Sequence, residues 1–563
     1  MNRRFIILFV IALVLRLFVA FQPFEEDEYH WAGSAEREDW FGSVMRNSPL
    51  SIYAAQVSVN LLGLSVLAIR LPFIIAGLLT IFGVYFFARK LAGEKTALVA
   101  AALLALSPHH ILASTQATYE GSFLALFFFL TLAAVIEKQY FWSGMFFGFA
   151  LLSKTSAFVL FPPLVFLLSW RDAKLFTAVK ITFLNLLAGL SIFFVGFGIP
   201  SIIAQSPAFI NSIAQLISQT GFQRENFLLL LIQYAQAIIW IGPLLLFAPL
   251  FSSWNKNKKY WFVIGYILLF YIIIVKDNFP PIERYLMILL PFLSILSADS
   301  IASLKLTKKN VVMAGIVFCA AVAGGVALQL MNNDVLPFSQ KTTFIERVIN
   351  FSLNFLVPIS GSSGPVGFYL PFSIIGIAFI ISAGIFISSF FDSKKMKAVC
   401  LTVMFGVGGA YSFLFYLEYA TGIFNGSVPD AIYAVIDYAN AHDLQAPVYF
   451  MRNYALQYTL DARYKRNPVL DTLPKFDYFS FDSYRKYDAT VQLKLATQLG
   501  VDKNIRTLSF ADDNELKVQE LKKEGGTFLI VDFPAIDKSG PLFGYLRSCN
   551  KTRVHEIGYV FVC

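Results

Sequence analysis

The sequence predicts an α-helical polytopic membrane protein with a small α/β domain at its C-terminal end. Three observations predict it. Hydrophobic residues make up 57% of the 563 positions and charged residues only 14%, against about 45–50% and about 25% in an ordinary soluble domain. The apolar residues stand in long runs, many near the roughly 20 residues that one bilayer crossing takes. Beyond residue 423 the texture changes, and polar stretches separate short apolar ones.

Thirteen runs read as spans, at about 4–22, 69–89, 95–113, 118–136, 140–153, 155–170, 175–197, 225–251, 260–275, 284–303, 310–330, 366–391 and 397–418. The first run is expected to remain as a span. Pro23 and a cluster of acids follow it, where a removable signal peptide has small residues. The fifth and sixth runs are short and meet at Lys154. They form either two passes or one kinked helix, and charge separates the alternatives. With the N-terminus inside, Arg3, Arg4, Arg89, Lys90, Lys256, Lys258, Lys259, Lys308, Lys394 and Lys395 all fall in short cytoplasmic connections. The positive-inside rule then holds on both sides of Lys154, which favours two passes. The formal net charge of +9 is therefore a feature of topology, and no nucleic-acid partner is expected.

An odd number of spans sets residues 424–563 outside the cell membrane, as a domain separate from the membrane domain 1–423. Apolar segments APVYFM, GTFLIVDF and IGYVFVC alternate with helical-looking DAIYAVIDYANAH and ELKVQELKKEG, the pattern of a small α/β domain. Neither GxGxxG nor GxxxxGK[ST] occurs, so no nucleotide fingerprint is present. Of the four cysteines, Cys319 and Cys400 lie in apolar runs. Cys549 and Cys563 lie in the tail, where they form a disulfide in an oxidising compartment or stay as two free thiols.

The densest polar cluster follows the first span: Glu25, Glu26, Asp27, Glu28 and then His30. A solvated outer loop would also gather acids. Residues 46–68 continue as an apolar stretch with Pro49 near its start, which suits a helix lying along the interface. Lys154 interrupts a run that holds no acid from Phe141 to Trp170. A lysine there must snorkel, pair or serve a site.

These segments together carry a resemblance. An Asp-Glu pair after span one is followed by an interfacial helix, by IRLPFIIAGLLTIFGVYFFARKLAGEKTALVAAALLALSPHH, by ATYEGSFLALFFFLTLA and by GFALLSKTSAFVLFPPLV. This resembles the C-type (GT-C) membrane glycosyltransferases, in the branch of the dolichyl-phosphate-mannose protein mannosyltransferases and the lipid A aminoarabinose transferases. The likeness is firm to about residue 170 and returns in ERYLMILLPFLSIL at 283–296. It implies a GT-C fold with about thirteen spans and an outer C-terminal domain. It also implies an enzyme of the cell membrane that moves a monosaccharide from a polyprenyl-phosphate carrier to a hydroxyl of a lipid, glycan or protein, with inversion.

The resemblance assigns roles by position. Asp27 and Glu28 match the family's acid pair, one of which serves as general base or helps to hold a divalent ion. Glu120 matches a second acid at the outer start of span four. Lys154 matches a lysine that touches the lipid phosphate. Arg284 and Tyr285 match the late Arg-Tyr pair on the same side, and His30 stands where some relatives have a basic residue. A divalent cation, Mg or Mn, would sit on Asp27 and Glu120. Arg46 and Asn47 before Pro49 depart from the family pattern, which leaves the metal open. Three other readings compete. An oligosaccharyltransferase would use a pyrophosphate-linked glycan, and the chain lacks a WWD-type motif. A transporter would show paired repeats and broken helices near the midplane. A non-catalytic relative would keep the fold as an assembly subunit.

Overall fold

The structure is a computed structural model. It describes residues 2–21, 28, 49–63, 65–117, 120–172, 174–206, 208–219, 234, 238–239, 241–252, 254–273, 286–304, 307–331, 350, 356–358, 369–391, 394–422, 428–445, 447–451, 505–508, 515–531 and 540–563.

Each of the thirteen expected runs contains helix. The first is α1 (Arg3–Val19), capped by the Asn2 side chain, which accepts from the Arg4 N–H. The interfacial stretch forms α2 (Pro49–Leu62), with proline at its start. Ser65 then caps α3 (Val66–Ala92) by accepting from Ala68. Gly93 at φ +83° closes α3 and opens α4 (Glu94–Ala105), a backbone angle that suits glycine.

The expected span 95–113 is broken. Ser107 caps a new helix, α5 (Pro108–Thr115), and α4 and α5 meet at 62°. Pro108 has no N–H to continue the α4 ladder, while Ser107 offers the new helix an acceptor. A π-helical turn at Glu120–Leu124 leads into α6 (Ala125–Ile136). Next come α7 (Tyr140–Ser153), α8 (Ala157–Asp172) and α9 (Leu175–Phe193), which runs on through a second π-turn to Ile203. Lys154 is extended at φ −160°, so α7 and α8 are separate helices. Glycines set the α7–α9 spacing: a Cβ on Gly189 would stand 2.3 Å from Phe147, and one on Gly148 would stand 2.6 Å from Ile192. Small residues of this kind let membrane helices approach closely.

The later helices are α10 (Ala208–Gln219), a short apolar helix at Ile241–Phe251, α11 (Trp254–Ile273), α12 (Leu290–Leu304), α13 (Lys308–Met331), α14 (Phe372–Ser388) and α15 (Lys394–Thr421). Among the described residues, five helical segments are long and apolar enough to cross a membrane alone: Val66–Ala92, Leu175–Ile203, Leu286–Ser303, Lys308–Leu330 and Lys395–Thr421. The bent α4–α5 pair makes a sixth as one broken span. Their outer faces are greasy, as lipid requires; Ile6, Val10, Val14 and Phe18 of α1 and Val311 and Ile316 of α13 are exposed. The buried cluster joins α1, α3, α4, α6, α7, α8 and α12, with Phe5, Tyr85, Phe128, Phe147, Phe161 and Phe292 among its largest members.

Among the described residues, the C-terminal part holds a five-stranded sheet in which Ile505–Leu508, Val448–Met451, Thr527–Val531, Gly558–Val562 and Asn550–Arg553 lie side by side in that order. Its strands are β3 (Val448–Met451), β4 (Ile505–Leu508), β5 (Thr527–Val531), β6 (Asn550–Arg553) and β7 (Gly558–Val562). A separate hairpin-like pair, β1 (Leu356–Pro358) and β2 (Tyr369–Pro371), precedes α14. The three apolar segments read from the sequence are β3, β5 and β7. The neighbours β4, β3 and β5 run parallel, while β7 and β6 are antiparallel. β5 is buried at every position, as a strand covered on both faces must be. Helix α16 (Val428–Ala441) covers one face with Ala431, Val435 and Ile436, and α17 (Glu515–Glu524) and α18 (Pro541–Leu546) add Val518, Leu521, Leu542 and Leu546.

A disulfide joins Cys549 to Cys563 across 14 residues. It ties the end of α18 to the end of β7. Closing a loop of about 15 residues removes roughly 3 kcal/mol of chain entropy from the unfolded state. Cys549→Ser is therefore expected to destabilise this domain by about 3 kcal/mol. Thermal melts with and without reductant check it: reductant lowers the wild-type midpoint to that of the variant and leaves the variant unmoved.

Candidate functional site

The acid segment after α1 is anchored through Glu28. Its carboxylate is fully buried. Oε1 accepts from Arg70 Nε at 2.8 Å and Oε2 from Arg70 Nη2 at 2.5 Å, a bidentate fork. Oε1 also accepts from the backbone N–H of Ala117 at 2.7 Å. Arg70 uses its third nitrogen, Nη1, on the carbonyl of Ala20 at 3.0 Å. One ion pair thus ties four pieces of chain together: the end of α1, the acid segment, the first turns of α3 and the exit from α5. Both charges are buried, so each needs the other.

A second knot lies one turn back along α1, toward its N-terminus. Arg16 is fully buried. Its Nε donates to Ser114 Oγ at 2.8 Å, and Nη1 donates to the carbonyls of Ala12 at 2.9 Å and Ala105 at 3.4 Å. Nη2 lies 2.7 Å from His110 Nδ1. A guanidinium only donates, so Nδ1 is the acceptor and the neutral ring carries its proton on Nε2. The Ala105 carbonyl is one that the α4–α5 break leaves over, and Arg16 satisfies it. A Cβ on Gly77 would stand 2.3 Å from Ser114 Cβ, so α3 and α5 touch directly. Ser122 Oγ donates to the Ala113 carbonyl at 2.9 Å and locks the π-turn against α5. That turn begins at Glu120, so the knots fix the path of the backbone that bears it.

Lys154 sits at the joint of α7 and α8 and is 5% exposed. Its N–H donates to the Ala150 carbonyl at 2.8 Å and closes α7. Beside it, Leu151, Thr155, Phe158, Leu190, Phe193 and Phe209 line an apolar cavity of about 310 Å³ between α7, α8, α9 and α10. An apolar slot thus adjoins the joint that bears Lys154, whose chain neighbour Thr155 lines it.

Asp27, His30, Arg284 and Tyr285 lie outside the described residues, and of Glu120 only the backbone is described. Among the described residues no three His, Cys, Asp or Glu side chains gather to hold a metal. The two carboxylates named for a divalent ion, Asp27 and Glu120, are not among the described side chains. Sequence reasoning missed Arg70, Arg16 and His110. Arg70 stood in the RLP motif at the start of an apolar run, but nothing in the sequence joined it to an acid 42 residues away.

Comparison with known proteins agrees with this architecture. A family model described as dolichyl-phosphate-mannose-protein mannosyltransferase matches residues 46–197. None of the curated proteins matches. The crystal structure of ArnT from Cupriavidus metallidurans bound to undecaprenyl phosphate superimposes with a TM-score of 0.52 at 17% identity, over 100% of this chain and 98% of that one. The apo state of the same ArnT gives 0.52 at 16% identity, over 99% and 97%. The chain has the fold of the C-type (GT-C) membrane glycosyltransferases, with a small sheet domain at its C-terminal end. Its stretch from α2 to the end of α9 is the part that matches the mannosyltransferase family model.

Proposed function

We propose that the protein transfers a monosaccharide from a polyprenyl-phosphate carrier to a hydroxyl of a lipid, glycan or protein at the outer membrane face. The observation that carries this reading is the apolar cavity beside the buried Lys154, in a fold shared with an ArnT structure that holds undecaprenyl phosphate. A prenyl tail suits the cavity by burial of apolar surface, and an ammonium offers a compact charge to a phosphate oxygen. Arg284, Tyr285 and His30 join the phosphate on the basis of the family pattern. Asp27 takes the proton of the acceptor hydroxyl as that oxygen bonds to the anomeric carbon. The bond from this carbon to the phosphate breaks, and polyprenyl phosphate leaves with the electron pair. One displacement inverts the anomeric carbon. Glu28 is held by Arg70 and serves as an anchor, and Glu120 acts toward the acceptor on the basis of the family pattern. A divalent ion, if used, would sit on Asp27 and Glu120. The Cys549–Cys563 disulfide supports an outer position for the tail domain and a cytoplasmic N-terminus.

Purified protein incubated with decaprenyl-phosphate-linked mannose, glucose and arabinose is expected to release decaprenyl phosphate. Release from none of them in the presence of membrane lipid and peptide acceptors overturns the reading. Lys154→Ala is expected to weaken binding of decaprenyl phosphate roughly 10- to 150-fold, the worth of a hydrogen bond to a charged group. Lys154→Arg retains part of it, because charge survives while geometry changes. Unchanged affinity in the alanine variant ends the phosphate role.

A further inference from the structure

A second cavity opens in the C-terminal domain, and the scheme above does not use it. Its volume is about 300 Å³, and Ile530, Phe543, Cys549, Lys551, Tyr559 and Phe561 are among its lining residues. Strand register explains why they meet. Ile530 of β5 pairs with Tyr559 of β7, and Phe561 of β7 pairs with Lys551 of β6. Residues two apart on a strand share a face, so these four side chains point to one side of the sheet. Phe543 of α18 and Cys549 close that side. The other side belongs to α16: a Cβ on Gly558 would stand 3.2 Å from Val435. Helix α16 is also the element that meets the membrane domain, where the Tyr433 hydroxyl lies 3.5 Å from the Phe21 carbonyl after α1. The cavity therefore opens on the sheet face turned away from that contact.

Lys551 supplies the charge. Its ammonium stands over the Tyr559 ring, 3.7 Å from the centroid, and 5.8 Å from that of Phe561. The rings hold it in place, and among the described residues no carboxylate pairs with it. Arg547 also lines the cavity but is engaged with another group, so Lys551 is the cation that a ligand meets. A lysine on an edge strand also deters pairing with a second chain. That duty explains a charge on β6, which Arg553 supplies as well. It does not explain an ammonium held over two rings beside a cavity. Phe543, Phe561 and Ile530 offer an apolar wall to the C–H face of a sugar ring, and the ammonium offers charge-assisted hydrogen bonds to an anion. Ligand pockets run from roughly 300 to 1,000 Å³, so this small one takes a single ring rather than a nucleotide. The Cys549–Cys563 disulfide in its wall suits an oxidising compartment, where acidic sugars are carried on glycans and lipids. We propose that this cavity binds an acidic sugar, with the ring against Phe543 and Phe561 and its carboxylate or phosphate on the Lys551 ammonium. The site is separate from the donor site and does not rest on the donor reading.

The test uses the full chain in lipid nanodiscs and titration calorimetry. The probes are glucuronic acid, glucose 6-phosphate, glucose, acetate and inorganic phosphate. Wild type is expected to bind at least one acidic sugar more tightly than glucose and than the matching bare anion. The better of the two acids tells carboxylate from phosphate. Lys551→Met keeps an apolar stem and removes the charge, and it is expected to weaken that binding roughly tenfold or more. Lys551→Arg is expected to retain part of it, because charge survives while geometry changes. Both variants should bind decaprenyl phosphate within about twofold of wild type, and Lys154→Ala should leave the acidic-sugar affinity unchanged. Where the methionine variant does not fold, Lys551→Gln takes its place. Glucose or a bare anion bound as tightly as the acidic sugars overturns the proposal, and so does a failure to bind either acid. An unchanged affinity in the folded methionine or glutamine variant overturns it too. A loss confined to Lys154→Ala does the same, since it sets the sugar in the donor site. A wild type that binds an acidic sugar through Lys551 but no decaprenyl phosphate removes the donor reading and leaves this site standing.

Discussion

Asp27→Asn is expected to lower sugar transfer by about 10²–10⁴-fold, the usual range for a general base, with insertion and folding intact. The acceptor proposed above is an alcohol, and an alcohol oxygen becomes an efficient nucleophile only as its proton leaves. Polyprenyl phosphate is already a good leaving group, so the proton is where side-chain chemistry counts most. Three acids match the family's catalytic positions: Asp27, Glu28 and Glu120. Glu28 accepts three hydrogen bonds from Arg70 and Ala117, which engage most of its roughly four acceptor sites. Glu120 stands at the start of the π-turn. Asp27 precedes Glu28 in the sequence and matches the acid of the family's pair that can serve as base. Asparagine preserves the shape of Asp27 and removes its basicity. Turnover of the purified variant with decaprenyl-phosphate sugars measures the effect, and its affinity for decaprenyl phosphate should stay within a few-fold. Activity within a few-fold of wild type would dismiss Asp27 and transfer the role to Glu120.

The membrane part was legible because lipid imposes a simple rule: long apolar runs become helices whatever their neighbours. The same simplicity hid the break in the third run. Ser107-Pro108 carries the signals of a helix start, yet the apolar run continues through them, and length alone favoured one span. In the tail, β3, β5 and β7 showed themselves because buried strands are apolar. The edge strands β4 (IRTL) and β6 (NKTR) mix polar residues and gave no such contrast. The acids of the site were visible as a cluster in the sequence. Their partners were not, because tertiary contacts set them. Arg70 meets Glu28 across 42 residues, Arg16 meets Ser114 across 98, and Thr115 meets Tyr419 across 304. Periodicity within one run cannot find such pairs.

Arg70→Met is expected to cost about 3–5 kcal/mol of stability, the scale for removing one partner of a buried ion pair, and to remove most turnover. Methionine fills much of the arginine volume, so the loss comes from the charge rather than from a cavity. It leaves the Glu28 carboxylate buried without its fork and the Ala20 carbonyl without a donor. The double variant Glu28→Met, Arg70→Met separates the two consequences. With both charges gone the desolvation cost disappears, and apolar replacement of a whole buried pair is often neutral or stabilising. Thermal stability should therefore recover most of what the single variant lost. Turnover should not recover, because no group then accepts from the Ala117 N–H or links the acid segment to α3. If Glu28 and Arg70 served stability alone, activity would return with the melting temperature. If Glu28 were itself the base, Glu28→Asp would shift the pH profile of turnover. As an anchor it instead lowers kcat across the whole profile, because the shorter carboxylate cannot meet Arg70 and Ala117 at once. Melting curves and pH–rate profiles of these variants, measured in one detergent, decide between an anchor and a base.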